Sequence, residues 1–344
     1  MSLHVFVDRL RTAVVIGLAT AASVTPAAAQ QVNLYTTREP GLMQPLIDAF
    51  TSATGIKVNS IFVRDGLAER VAAEGTRSPA DMLMTVDIGA LVDLVGKGLT
   101  QPVKSATLEG AVPANLRGTD NHWFALSLRA RVLYAHTDLN LSTFTYEQLA
   151  DAKWKGKLCT RSGQHPYNNA LVAAYIAHHG EAKTEEWLRG MKAALARTAA
   201  GGDRDGARDI VGGICDLAVG NSYYVGLMRS GTGGPEQQQW GAAIKVVLPT
   251  FAGGGTHVNV SGAAIAKHSP NRADAIRFLE YLVSDAAQKI YAEANYEYPV
   301  KAGAVVHPII SALGALKVDS ISLTEIARHR AAASRLVDKV GFDR

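Results

Sequence analysis

The chain of 344 residues is 47% apolar and 19% charged, a globular balance with enough length for two domains of ordinary size. It contains no internal run near the roughly 20 apolar residues that cross a bilayer, no fixed-period repeat and no low-complexity segment. The formal charge of +4 is spread without a basic cluster, which speaks against nucleic acid and against a strongly charged membrane-facing patch.

At the N-terminus, Arg9 and Arg11 precede the apolar stretch TAVVIGLATAASV, and PAAAQ then places Ala27 and Ala29 as the small residues of an A-x-A cleavage site. This layout predicts a secretory signal peptide over residues 1–29, export to the periplasm and a mature chain beginning at Gln30 or Gln31. Loss of Arg9, Arg11 and Asp8 with the leader lowers the formal charge to +3. No lipobox cysteine follows, so no lipid anchor is expected. The two cysteines, Cys159 and Cys215, have no His or Cys at ligand spacing beside them. An even pair in an exported chain favours a disulfide.

The mature chain alternates β-branched runs with helical patterns, which predicts an α/β fold. QVNLYTT reads as a first strand. Residues 39–54 read as a helix with Leu42, Leu46 and Phe50 on one face and Gly55 as its stop. IKVNSIFV predicts a second strand, residues 67–74 a helix, ADMLMTVD a buried strand and IGALVDLVGKG another helix. SLRARVLYAHT reads as a strand. A middle block follows with strands KLCTR and CDLAVG around the helix NNALVAAYIAHH, and after AGGGTH a second long extended run, HVNVSGAAIA, appears. Extended segments near residues 130 and 260 bracket that block. They predict two lobes with a ligand cleft between them: residues 31–130 plus about 258–310, and about 131–257, with C-terminal helices 311–344 packing on either lobe.

In NSYYVGLM, Asn221 and Ser222 are N-cap candidates after a strand, which would put Tyr223 and Tyr224 in the first turn of a helix. Neighbours there are about 100° apart, so both phenols can lean toward one point, whereas in a strand they would diverge. Tyr167, in RSGQHPYNNALVAAY, also lies between a strand and a helix, and ligands gather at such strand ends in open α/β sheets. Three phenols suit a hard, highly charged cation. Ionising each at pH 7 costs about 4 kcal/mol, roughly 12 for all three, which a trivalent ion such as Fe(III) can offset. A Tyr-Tyr pair is also common as ordinary packing, and spacing alone leaves both readings open.

These residues lie in blocks that resemble the ferric-iron-binding periplasmic proteins of bacterial ABC transporters, a branch of the type II two-lobed binding proteins. The resemblance covers nearly the whole mature chain. It rests on VNLYTTRE, SPADMLMTVD, RARVLYAHTD, KWKGKLCTRSGQHPYNNALVAA, NSYYVG, GTHVNVSGAAI and NYEYPV. It implies that Tyr167, Tyr223 and Tyr224 are phenolate ligands of Fe(III), and that Arg129 pairs with a bidentate anion such as carbonate or with the ligand set. It further implies an inner-membrane ABC permease as partner, a ferric ion or ferric chelate as cargo, and a monomer.

Many relatives place His-Tyr after the first strand's arginine, where this chain has Glu39 and Pro40. Proline cannot ligate, so Glu39 stands as a possible fourth ligand or as a helix first-turn acid. Thr37 and Arg38 are candidates for holding an anion, and His165 for supporting Tyr167. His257 and Asn259 are expected in structural hydrogen bonds, and Tyr296 and Tyr298 in packing. No nucleophile elbow, phosphate loop or HExxH spacing is present, so no enzyme is expected. The competing reading keeps the fold and takes sulfate, phosphate or a carboxylate as ligand.

Overall fold

The computed structural model describes Met1 and residues 30–344; the rest of the expected leader lies outside the described residues. β1 (Gln31–Thr36) leads to α1 (Pro40–Thr54), β2 (Lys57–Phe62), α2 (Leu67–Glu74), β3 (Met82–Thr85), α3 (Ile88–Gly96), β4 (Thr100–Gln101) and α4 (Ala106–Ala111). The long β5 (Phe124–His136) precedes β6 (Leu158–Cys159), α5 (Pro166–Ala194), α6 (Asp203–Val211), β7 (Leu217–Asn221), α7 (Ser222–Arg229), α8 (Pro235–Ala243) and β8 (Ile244–Val247). Then come β9 (Val258–Ala266), α9 (Arg272–Leu282), α10 (Asp285–Asn295), β10 (Tyr298–Pro299), α11 (Pro308–Ser311), α12 (Leu323–Arg328) and α13 (Arg330–Val340). Among the described residues, no helix is long and apolar enough to cross a membrane.

The first helix differs in one respect from its expected face. Met43, Leu46, Ile47 and Phe50 are buried and Leu42 is exposed. The stripe follows i, i+3, i+4, i+7 from Met43, one position round from the predicted one. Gly55 ends the helix in the left-handed region at φ 74°, as its missing Cβ allows.

The strand order β2-β1-β3-β9-β5 forms one side of the molecule, with β4 along β9 and β10 along β5. β7 and β8 pair with the other end of β5, and β6 lies beyond β7. β5 is therefore shared. Residues 124–130 face β9, with Arg129 opposite Asn259, while residues 131–135 face β7, with Arg131 opposite Asn221. All but the last of its 13 residues are buried, as is expected of strands covered on both faces.

The C-terminal helices settle mainly on α5, along which α13 lies; α12 touches both α5 and α3. Cys159 and Cys215 form a disulfide that ties β6 to the segment before β7. Closing 56 residues of chain restricts the unfolded state by about 4 kcal/mol in the loop-entropy account. Replacing both cysteines by Ala is expected to lower unfolding free energy by up to that amount, read from the shift in denaturant midpoint at unchanged slope.

Candidate metal centre

Two helices begin at the carboxyl ends of the adjacent parallel strands β6 and β7. At the first, His165 occupies the N-cap of α5 and its Nδ1 accepts the Tyr167 N–H at 3.2 Å; Pro166 fixes the opening turn. At the second, Asn221 holds the N-cap of α7 with an extended backbone (φ −90°, ψ 144°). Its side chain does not cap the helix. Its Oδ1 accepts from Arg131 Nη1 at 3.0 Å and its carbonyl accepts the Tyr134 hydroxyl at 2.8 Å. Ser222 Oγ accepts the Ala130 N–H at 3.2 Å, so the start of α7 is fastened to β5.

Tyr223 and Tyr224 thus fall in the first turn, with ring centroids 4.1 Å apart. The Tyr223 phenol is raised well above the ordinary tyrosine range, first by burial and then by Tyr167 and Tyr224; Arg129 opposes the shift. Tyr224 is raised by burial; a hydrogen bond from Tyr223 opposes the shift, Asp203 and Tyr167 add to it, and Arg161 opposes it. All three phenols therefore lie within range of one another's charge. Guanidinium groups surround them: Arg161 lies 5.2 Å and Arg129 5.6 Å from the Tyr167 ring centroid, and Arg204 5.5 Å from that of Tyr224. The His165 imidazole is edge-on to Tyr167 at 4.7 Å. Burial and Arg161 pull its pKa down to about 4, so it is neutral at pH 7.

The other predicted residues are disposed differently. Arg129 is buried and reaches across to the Val86 carbonyl at 2.5 Å, while its Nε has no partner among the described residues. Arg38 is only 2% exposed, and both its amino nitrogens are committed, to Glu297 at 3.0 and 3.2 Å and to Ser261 at 2.6 Å. Its fork is thus occupied by a carboxylate of the protein rather than open to an added anion. Thr37 Oγ1 accepts the Val86 N–H at 3.2 Å. Glu39 is exposed at the N-cap of α1 without a side-chain capping bond. Asn259 makes the structural bonds expected of it, to Asp87 and to the Ile88 N–H. His257 does not: neither ring nitrogen has a partner among the described residues, and burial pulls its pKa down to about 3.

A cavity of about 470 Å³ lies among the starts of α2 and α3 and reaches Pro166, the residue before Tyr167. Thr37, residues 64–69, residues 85–87 and the first turns of α3 line it together with Pro166 and Arg330. Arg330, from α13, spans it to pair with Asp87 at 2.7 Å and lies over Gly89 at the start of α3.

Sequence reading missed Asp87–Arg330, Arg38–Glu297, and the trio Arg131, Arg161 and Asp203 behind the phenols. The available signal was a pair of arginines two apart inside the otherwise apolar strand that became β5, since buried charges are paired. Chemically, the three tyrosines offer neutral hydroxyl donors when protonated and anionic oxygens when not. The first state suits an oxyanion; the second suits a small trivalent cation.

Burial and mutual repulsion predict late ionisation in the ligand-free protein. The ultraviolet tyrosinate titrations of wild type, Tyr223→Phe and Tyr224→Phe are expected to coincide through the ordinary range near pH 10. They should separate only above it.

A family model described as bacterial extracellular solute-binding protein matches residues 35–289. The chain is 41% identical to iron uptake protein A2 of Synechocystis sp. over 322 residues, 92% of this chain and 91% of that protein. The solved Bordetella ferric binding protein superposes with a TM-score of 0.88 at 63% identity, covering 92% of this chain and 100% of its own. A Trichodesmium protein solved in complex with iron and citrate ligands gives 0.87 at 41% identity, covering 91% and 99%. The chain belongs to the bacterial extracellular solute-binding protein family and, within it, to the periplasmic ferric-iron-binding proteins with their type II fold.

Proposed function

We propose that the protein is an extracytoplasmic binding protein that captures Fe(III) through the phenolates of Tyr167, Tyr223 and Tyr224 and delivers it to an inner-membrane ABC permease. The observation that supports this reading is the position of Tyr167, Tyr223 and Tyr224 in the first turns of two helices that follow the adjacent parallel strands β6 and β7. The names of the Synechocystis and Bordetella relatives support the same cargo.

Three phenolates neutralise a trivalent ion and so offset the roughly 12 kcal/mol their deprotonation requires at pH 7. Fe(II) leaves that charge overcompensated and is held less tightly. Arg129, with a partnerless Nε facing this region, is suited to hold a small bidentate anion such as carbonate at the positions the tyrosines leave open. Glu39 is the exposed carboxylate at the end of β1 that could reach the ion instead. Residues 31–130 with about 258–310 form one lobe in this reading and residues 131–257 the other. β5 and β9 connect them, and closure selects the state in which both contact the cargo. No catalytic step is involved.

The guanidinium groups around the phenols favour the second reading, a small-anion carrier. Colour separates the two. Ferric citrate added to wild type should give a visible phenolate-to-iron charge-transfer band, and Tyr223→Phe or Tyr224→Phe should abolish or shift it with little effect on the melting temperature. A colourless wild type would favour the anion, and two single variants indistinguishable from wild type would discard the ligand assignment.

Acid should weaken binding because protons compete with the ion for the phenolates. Apparent affinity is expected to fall as pH drops, by up to about tenfold per unit for each phenol deprotonated on binding, in a chelator competition series.

A further inference from the structure

Asp203 and Arg131 form a buried ion pair at 2.6 Å, with side chains 0% and 2% exposed. Neither touches solvent or lies next to a tyrosine in sequence, and together they join the two tyrosine-bearing loops. Arg131 Nη1 also donates to Asn221 Oδ1 at 3.0 Å, and its Nη2 donates to Asn168 Oδ1 at 2.5 Å. Asn168 directly follows Tyr167, and Asn221 is two residues before Tyr223. Asp203 Oδ2 accepts the Asn221 N–H at 2.9 Å, and its Oδ1 accepts from Arg161, whose guanidinium lies over the Tyr167 ring. One carboxylate and one guanidinium thus anchor the N-cap of α7 and the opening turn of α5.

We propose that the Asp203–Arg131 pair positions the ligands, fixing the spacing between Tyr167 and the Tyr223–Tyr224 pair before any ion arrives. The inference rests on the three-tyrosine reading given above. All five residues of the hub lie within 131–221, on the same side of the cleft as the three tyrosines. The spacing is therefore set independently of closure, and the ion meets a preformed donor set rather than assembling one. Two features suit a positioning role better than one of stability. The pair is bonded at both ends to residues beside the ligands, and a buried ion pair is a poor source of net stability compared with apolar packing.

The test uses the mature protein loaded from ferric citrate. Asp203→Asn keeps the shape and removes the charge that holds Arg131. It is expected to fold, to bind iron at least about tenfold more weakly, and to show a charge-transfer band displaced in energy or reduced in intensity. The double variant Arg131→Met/Asp203→Leu removes both charges of the pair, leaving only the partly exposed Arg161 without its carboxylate, and should shift the band in the same way, which covers the case in which Asp203→Asn does not fold. Asp209→Asn is the control. Asp209 is on the same helix, is 2% exposed and is paired with Arg197 and Arg208, but it contacts neither tyrosine loop. That variant should melt earlier with an unchanged band. A wild-type band and affinity in the folded hub variants would overturn the proposal, as would a control that shifts the band equally. A colourless wild type would instead remove the iron reading beneath it, so the two failures are distinguishable.

Discussion

Burial holds the phenols of Tyr223 and Tyr224 in their protonated form, and a charge on Tyr167 would add to that hold. Each negative charge makes the next harder to place. The cluster is thus stable at neutral pH in two conditions only: fully protonated, or compensated by concentrated positive charge. Arginines at 129, 161 and 204 moderate the repulsion without removing it, since a guanidinium some 5 Å from a ring centroid is a partial counter-charge.

Holding such a cluster together requires a stiff frame, and the fold supplies one through β5. That strand joins both sides of the molecule, presenting Arg129 toward the phenols and Arg131 to the network behind them. Small residues let the frame close up. A side chain at Gly220 would strike the Tyr134 ring, whose hydroxyl fastens Asn221, and one at Gly226 would strike Tyr296. Both glycines flank the Tyr223–Tyr224 pair by a few residues, so the end of β7 and the helix that follows it each sit close against a neighbouring ring.

Much of this was legible in the residues. Strand and helix order followed from apolar period and glycine stops, and the placement of Tyr223 and Tyr224 in a first helical turn followed from the strand-to-helix transition before them; Tyr167, expected between a strand and a helix, lies inside the first turn of α5. Local patterns report local structure. The hub was not legible because its members stand 72 residues apart in sequence, and nothing near Asp203 announces a partner at Arg131. Arg38 failed for a related reason. A strand-end arginine looks free for a ligand until the fold brings up Glu297 from 259 residues away. Leu42 was misplaced by a rotation of one position, a difference too small for periodicity to resolve when Met43 and Ile47 are equally apolar.

Gly89 has a consequence beyond local packing. Its bare backbone is where the Arg330 guanidinium rests while it holds Asp87, so the C-terminal helix and the start of α3 are joined across the cavity over an absent side chain. A single methyl group at residue 89 would act as a wedge. It would meet the far end of the Arg330 side chain, which would have to swing away from its seat beside Asp87. The way the C-terminal helix is held to the start of α3 can therefore be altered through one missing carbon atom.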